Sequence, residues 1–230
     1  MANVQLNKAL AQWTAEIAAP HMEIVEAEIN KRMEPYPELE LILNSSPMDV
    51  MRFYKLVQRT TVMIETSRYQ STSLGKFFAD EQQARGQIRR FKRQIPTTYD
   101  ALPEYFDTFV DRWARICELP KHSTSVLLSL VLTLAYPARF VDFGVQKWWV
   151  DFAQALSFGL PTAPGRRATP GVWIAWSGAF TQEIAETATF KKSWQRSEQE
   201  RQYPMWVIAG LCWANKQVTV QAEQSVALPH

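Results

Sequence analysis

The run Val126–Ala135, VLLSLVLTLA, limits the folds open to this chain more than any other stretch. Its length is half of the ~20 residues that a helix needs to cross a bilayer. Only Ser129 and Thr133 interrupt the aliphatic side chains, a composition that suits a helix buried on nearly all sides. Ser123 or Ser125 is placed to cap its start, and Pro137 forbids its continuation. The expectation is a single mostly helical domain, residues 1–230, of about seven to nine helices packed around this segment.

The flanking sequence supports an all-α reading. From Val4 to Met33, Leu6, Leu10, Trp13, Ile17 and later Met22, Val25 and Ile29 mark one face at helical spacing, and Pro20 predicts either two helices or one kinked helix. Pro35 and Pro37 end that segment. Ser45-Ser46-Pro47-Met48-Asp49 reads as a helix start, with a Ser cap and Pro at the first position. The helix runs on through Val57, and the β-branched stretch after Thr60 is read as helix because no partner strand is evident. Lys76–Ile95 is expected to be helical despite Gly86, which costs ~1 kcal/mol against Ala. Pro103 opens a helix with the stripe Tyr105, Phe106, Phe109, Val110, Trp113, Ile116 and Cys117. Further helices are expected over Phe143–Ser157, Val172–Phe190 and Tyr203–Lys216, with a loop at Thr162–Gly171 and a charged break at Lys191–Arg201. A sub-division into 1–95 and 96–216, with 217–230 as a frayed tail, follows from composition.

Net charge is only +2, but its distribution is uneven. Residues 1–51 carry eight acids and three bases, whereas residues 52–93 carry ten bases and three acids, a local +7. A near-neutral chain with such a segment is expected to have a basic face. Within it, Arg85, Arg89 and Arg93 fall at i, i+4 and i+8, with Arg90 and Lys92 flanking the row. Arg52, Lys55 and Arg59 make a second row at helical spacing. Guanidinium forks match phosphate oxygens, so two such rows on adjacent helices would track a nucleic-acid backbone. The competing reading is a solvated face balanced by the acidic N-terminal helices. Arg166 and Arg167, on a Gly/Pro-framed loop, are candidates for a further phosphate contact. Trp173 and Trp176 suit either base stacking or the core.

Tyr136-Pro-Ala-Arg-Phe-Val-Asp142 resembles the Pro-x-Arg-Phe helix connection followed by an Asp of helical DNA-repair glycosylase-like and restriction-associated proteins, over about thirty residues. That resemblance implies a base-excising enzyme using Asp142, although the Gly-rich hairpin and the Lys before the Asp are not in register. An Arg139–Asp142 pair or an Asp142 helix cap is the alternative. No Gly-rich phosphate loop, GxSxG, HExxH or CxxC occurs. Cys117 and Cys212 read as small core residues, and His21, His122 and His230 lack ligand spacing, so no metal or other cofactor is expected. Asp107 and Asp111 share a helix face with Arg115, which suggests a surface ion network.

The N-terminal residues lack a basic start followed by an apolar stretch, so no signal peptide is expected and the chain is assigned to the cytoplasm. The expected partners are nucleic acid, DNA or RNA, and other protein subunits, with no membrane. The leading expectation is a non-enzymatic accessory subunit of a microbial nucleoprotein assembly, in nucleic-acid processing or defence. A scaffold binding only protein is the second reading, and the glycosylase-like enzyme the third.

Overall fold

A computed structural model describes residues 2–59, 75–116, 118–141, 146–156, 163–165 and 167–227. The fold is all-α, and among the described residues there is no strand. The helices are α1 (Ala2–Trp13), α2 (Met22–Met33), α3 (Tyr36–Asn44), α4 (Val50–Arg59), α5 (Glu81–Arg93), α6 (Leu102–Ile116) and α7 (Lys121–Ala135). Then follow α8 (Gln146–Ala155), α9 (Pro170–Glu186), α10 (Ala188–Trp194), α11 (Glu198–Gln202) and α12 (Pro204–Ala227). Their contacts gather into two compact units, one of residues 1–33, 145–163 and 180–230, the other of residues 34–144 and 164–179.

In the first unit, α1 passes into a π-helical segment, Thr14–Ala18, and a 3-10 turn, Ala19–His21, before α2 begins. The kink expected at Pro20 is thus absorbed by changes of helical pitch. The charged stretch expected to break the chain at Lys191–Arg201 instead holds the end of α10 and all of α11 but its last residue, Gln202. Ser197 and Glu200 form a capping box for α11. Thr187 caps α10 and separates it from α9, so Val172–Phe190 is not one helix. The expected tail is largely helical, because α12 continues to Ala227. Where α12 crosses α2, Gly210 lies on Ile29, and a Cβ there would stand 2.8 Å from the Ile29 Cα. Trp13 packs edge-on against Phe152 and donates its indole N–H to Asn215 Oδ1 at 2.9 Å.

The same unit buries an ion pair. Arg32 Nη1 donates to Glu28 Oε2 at 2.8 Å, and its guanidinium lies 4.4 Å from the centre of the Trp213 ring. Lys31 reaches the other carboxylate oxygen of Glu28 at 2.7 Å. Burial opposes the Glu28 charge, but the hydrogen bonds from Lys31 and Arg32 and their charges outweigh it. They hold the carboxyl below its ordinary value of 4.5.

In the second unit, α7 packs against α3, α5 and α6. Its residues Leu127–Leu134 are all buried, as the apolar run demands. The two polar breaks are accommodated within the helix itself. Ser129 Oγ donates to the Val126 carbonyl and Thr133 Oγ1 to that of Ser129, so neither hydroxyl is buried without a partner. The helix starts at Lys121 with Pro120 as its cap residue, so neither Ser123 nor Ser125 caps it. Both lie inside the helix and are buried.

Further differences shape this unit. Pro37 does not end a segment but sits in the first turn of α3, where its missing N–H costs nothing. Ser45 closes α3, its N–H bonding the Ile42 carbonyl. The cap of α4 is Asp49, whose Oδ1 accepts from Arg52 N at 2.9 Å. The expected Lys76–Ile95 helix is broken at residues 79–80, and Asp80 caps α5 by accepting from Gln83 N. In the α6 stripe, Leu102, Phe106, Phe109, Val110 and Trp113 are buried, whereas Ile116 is exposed. Cys117 lies outside the described residues.

Candidate functional site

The basic helix α5 owes its position to Ala84, Ile88 and Phe91, which form its buried stripe. Phe91 packs among Tyr105, Phe106, Phe109 and Trp113 of α6, and the Tyr105 hydroxyl donates to the Phe91 carbonyl. This aromatic cluster fixes the rotation of α5 about its axis. At about 100° per residue, Arg85 and Lys92 then border the buried stripe, Arg89 lies further round, Arg93 points away from the core, and Arg90 lies beyond it on the far flank.

The five basic side chains consequently do different things. Arg85 Nε donates to the Met48 carbonyl at 3.0 Å, and its fork lies 3.9 Å from Glu81. Lys92 Nζ donates to the Leu43 carbonyl at 3.1 Å and to Asn44 Oδ1 at 2.7 Å. Burial favours the neutral amine and pushes the Lys92 pKa down. These two cations therefore hold the α3–α4 connection against α5. Arg89, Arg90 and Arg93 are exposed and make no ion pair among the described residues.

A groove of about 510 Å³ opens between α5 and that connection. One wall carries Arg85, Arg89, Lys92 and Arg93, the other Asn44, Ser45 and Ser46, and Leu43, Met48 and Ile88 lie between them. Among the described residues no Asp or Glu lines it. Ser45 Oγ donates to the Ile42 and Pro47 carbonyls. The arrangement is a concave surface with fixed positive charge along one side and donors on the other, able to receive an anionic group.

The second basic row is only partly joined to this site. Helix α4 packs on α5, as expected for adjacent basic helices. Arg52, however, is held by Glu38 of α3 at 2.7 Å, and neither it nor the exposed Lys55 lines the groove. The side chain of Arg59 and the whole of Arg166 lie outside the described residues. Arg167 is exposed and is not part of the groove.

No protein-family model, no curated protein and no solved structure matches the chain.

The other candidate residues have structural employment. Trp173 and Trp176 are buried and meet edge to face, with ring centres 5.7 Å apart, so neither offers a face to a base. Arg139 donates to the Pro96 carbonyl at 2.7 Å and lies over the rings of Tyr99 and Phe140. That contact explains why Arg-Phe follows the turn after α7. Asp142 lies outside the described residues. The Asp107–Asp111–Arg115 row is not an ion network. Asp107 accepts from Gly171 N at the start of α9, Asp111 pairs with Lys121 at 2.7 Å, and Arg115 bonds the Asp111 carbonyl and, among the described residues, no carboxylate. Among the described residues no group of His, Cys, Asp and Glu is arranged to hold a metal, and no helix is long and apolar enough to cross a membrane.

Sequence reasoning found the basic row of α5 and missed the opposite wall. Ser45 and Ser46 carry the composition of a helix start, Asn44 gives no signal of its own, and the two prolines on either side of Tyr36 conceal α3.

Proposed function

We propose that this chain is a non-enzymatic nucleic-acid-binding subunit that grips phosphates through Arg89, Arg90 and Arg93 of α5. One observation carries the reading. These three guanidiniums are exposed without acid partners among the described residues, beside a groove whose described lining holds no carboxylate. A bare cation row is favoured on a surface that meets polyanions, since isolated like charges otherwise repel one another. The bland alternative is that Arg90, Lys92 and Arg93 merely complement the negative end of the α5 dipole. That effect needs one or two charges in the last turn and gives no reason for Arg89, one turn earlier.

Service as an accessory subunit of a microbial nucleoprotein assembly, with other protein subunits as partners and the cytoplasm as location, belongs to the same proposal. The test is fluorescence anisotropy of labelled DNA and RNA at two salt concentrations. Binding that weakens steeply with salt and is lost when Arg89, Arg90 and Arg93 become Glu supports it. Absence of binding to any of these nucleic acids at low salt overturns it for the isolated chain. A protein complex that resists nuclease treatment would then favour the scaffold reading.

A further inference from the structure

We infer that the nucleic acid taken by this site is single-stranded, with one nucleotide seated in the groove between α5 and the Leu43–Met48 connection. The inference rests on the phosphate-binding reading above and adds the class of strand.

Three features of the groove point the same way. Its volume, about 510 Å³, falls in the range of pockets that enclose a single small ligand. A duplex, whose paired bases are sealed inside the helix, cannot enter such a space. It would rest on the rim and leave the groove empty.

The two walls also supply different chemistry. Arg89 and Arg93 are one helical turn apart and present guanidinium forks suited to phosphate oxygens. Across from them Ser46 has an exposed hydroxyl. Asn44 spends its amide oxygen on Lys92 and keeps its NH2 for another acceptor. Sugar hydroxyls and base edges are the groups such neutral donors serve, and in a single strand those edges are accessible.

Finally, the floor of the groove is apolar: Leu43, Met48 and Ile88, themselves almost fully buried, adjoin the aliphatic stems of the Arg and Lys side chains that line it. A site built only for a backbone needs no such floor, whereas a nucleotide brings an apolar ring or sugar face alongside its phosphate. Among the described residues the lining contains no aromatic side chain, so stacking against the base falls to the planar guanidinium groups.

The strand class is testable because simple electrostatics favours the opposite result. A duplex has the higher charge density, so a merely basic surface binds duplex at least as well as single strand. The experiment compares a labelled dodecamer of dT, one of U, and a twelve-base-pair DNA duplex at one salt concentration. The wild type and Ser46→Trp are titrated with each. Ser46 is exposed, so the indole is placed in the groove and not in the core.

At least tenfold tighter binding of a single strand than of the duplex is expected. Ser46→Trp should weaken single-strand binding about tenfold and leave duplex binding unchanged. Equal affinities, with Ser46→Trp silent on all three probes but the Arg89, Arg90 and Arg93 dependence intact, would overturn this inference and leave the phosphate-binding reading standing. Loss of all binding in the wild type would remove both. Circular dichroism of Ser46→Trp shows whether it folds. Should it not, Ser46→Leu, which removes the hydroxyl and narrows the groove without adding a donor, is the substitute, with the same expectation of selective single-strand loss.

Discussion

Lys92 reaches across to Asn44, ammonium to amide oxygen at 2.7 Å, and this bond ties the basic helix α5 to the end of α3. The same ammonium bonds the Leu43 carbonyl, one of the carbonyls that the last turn of α3 leaves without helical donors. A lysine that seems from its neighbours to belong to a phosphate track is therefore a clamp. Replacement by Gln should lower stability by about 1.5 kcal/mol, at the low end for charged hydrogen bonds because Lys92 is only half-buried. Affinity for nucleic acid should fall less than threefold. Urea unfolding and an anisotropy titration on the same preparation check both halves, and the reverse pattern would make Lys92 a ligand contact.

The buried pair in the other unit makes a prediction about acid. Because the Glu28 carboxyl titrates below its ordinary value in the fold, the unfolded chain binds its proton first as pH falls. The stability from this pair is complete above about pH 4.5. It is lost as pH falls through the depressed folded value. Glu28→Gln leaves the Arg32 charge buried without its counter-ion and should cost roughly 3 kcal/mol at pH 7. Urea midpoints measured from pH 7 to pH 3 should show the difference between wild type and variant shrinking towards the acid end. A constant difference would mean that the loss arises from packing alone.

Two glycines in helices should respond in opposite directions to Ala. Nothing lies within 4 Å of a Cβ at Gly86, in the middle of α5, so Gly86→Ala should stabilise by about 1 kcal/mol. At Gly210 the added carbon meets the Ile29 backbone at 2.8 Å, and α2 must move away. Gly210→Ala should destabilise by about 1–3 kcal/mol despite the better helix propensity. Thermal unfolding of both variants checks the contrast. Stabilisation by Gly210→Ala would show that the α2–α12 crossing is looser than described.

Much of the fold was legible because helical periodicity reports the buried stripe directly. Leu127–Leu134 of α7 and the Phe106, Phe109, Val110 and Trp113 stripe of α6 are buried where their spacing put them. Helix ends were harder to read. Ser45-Ser46-Pro47 carries the composition of a start, yet Ser45 finishes α3, since the choice depends on which carbonyl its N–H can reach. The site was half legible for a related reason. Spacing along α5 gives the order of its charges around the helix, so the row Arg85, Arg89 and Arg93 was visible. Whether Arg85 and Lys92 face solvent or a backbone carbonyl depends on residues 37 to 49 positions away, and local pattern holds no information about them.

The most direct test of phosphate binding by α5 is the dependence of affinity on salt. The logarithm of the association constant for a labelled single strand should be plotted against the logarithm of salt concentration for wild type and for Arg89→Gln/Arg90→Gln/Arg93→Gln. Each phosphate contact contributes a slope of about −0.7 on a single strand, so removing three should flatten the line by about 2. A slope unchanged by the triple substitution would contradict the assignment of these arginines, whatever the affinity itself does.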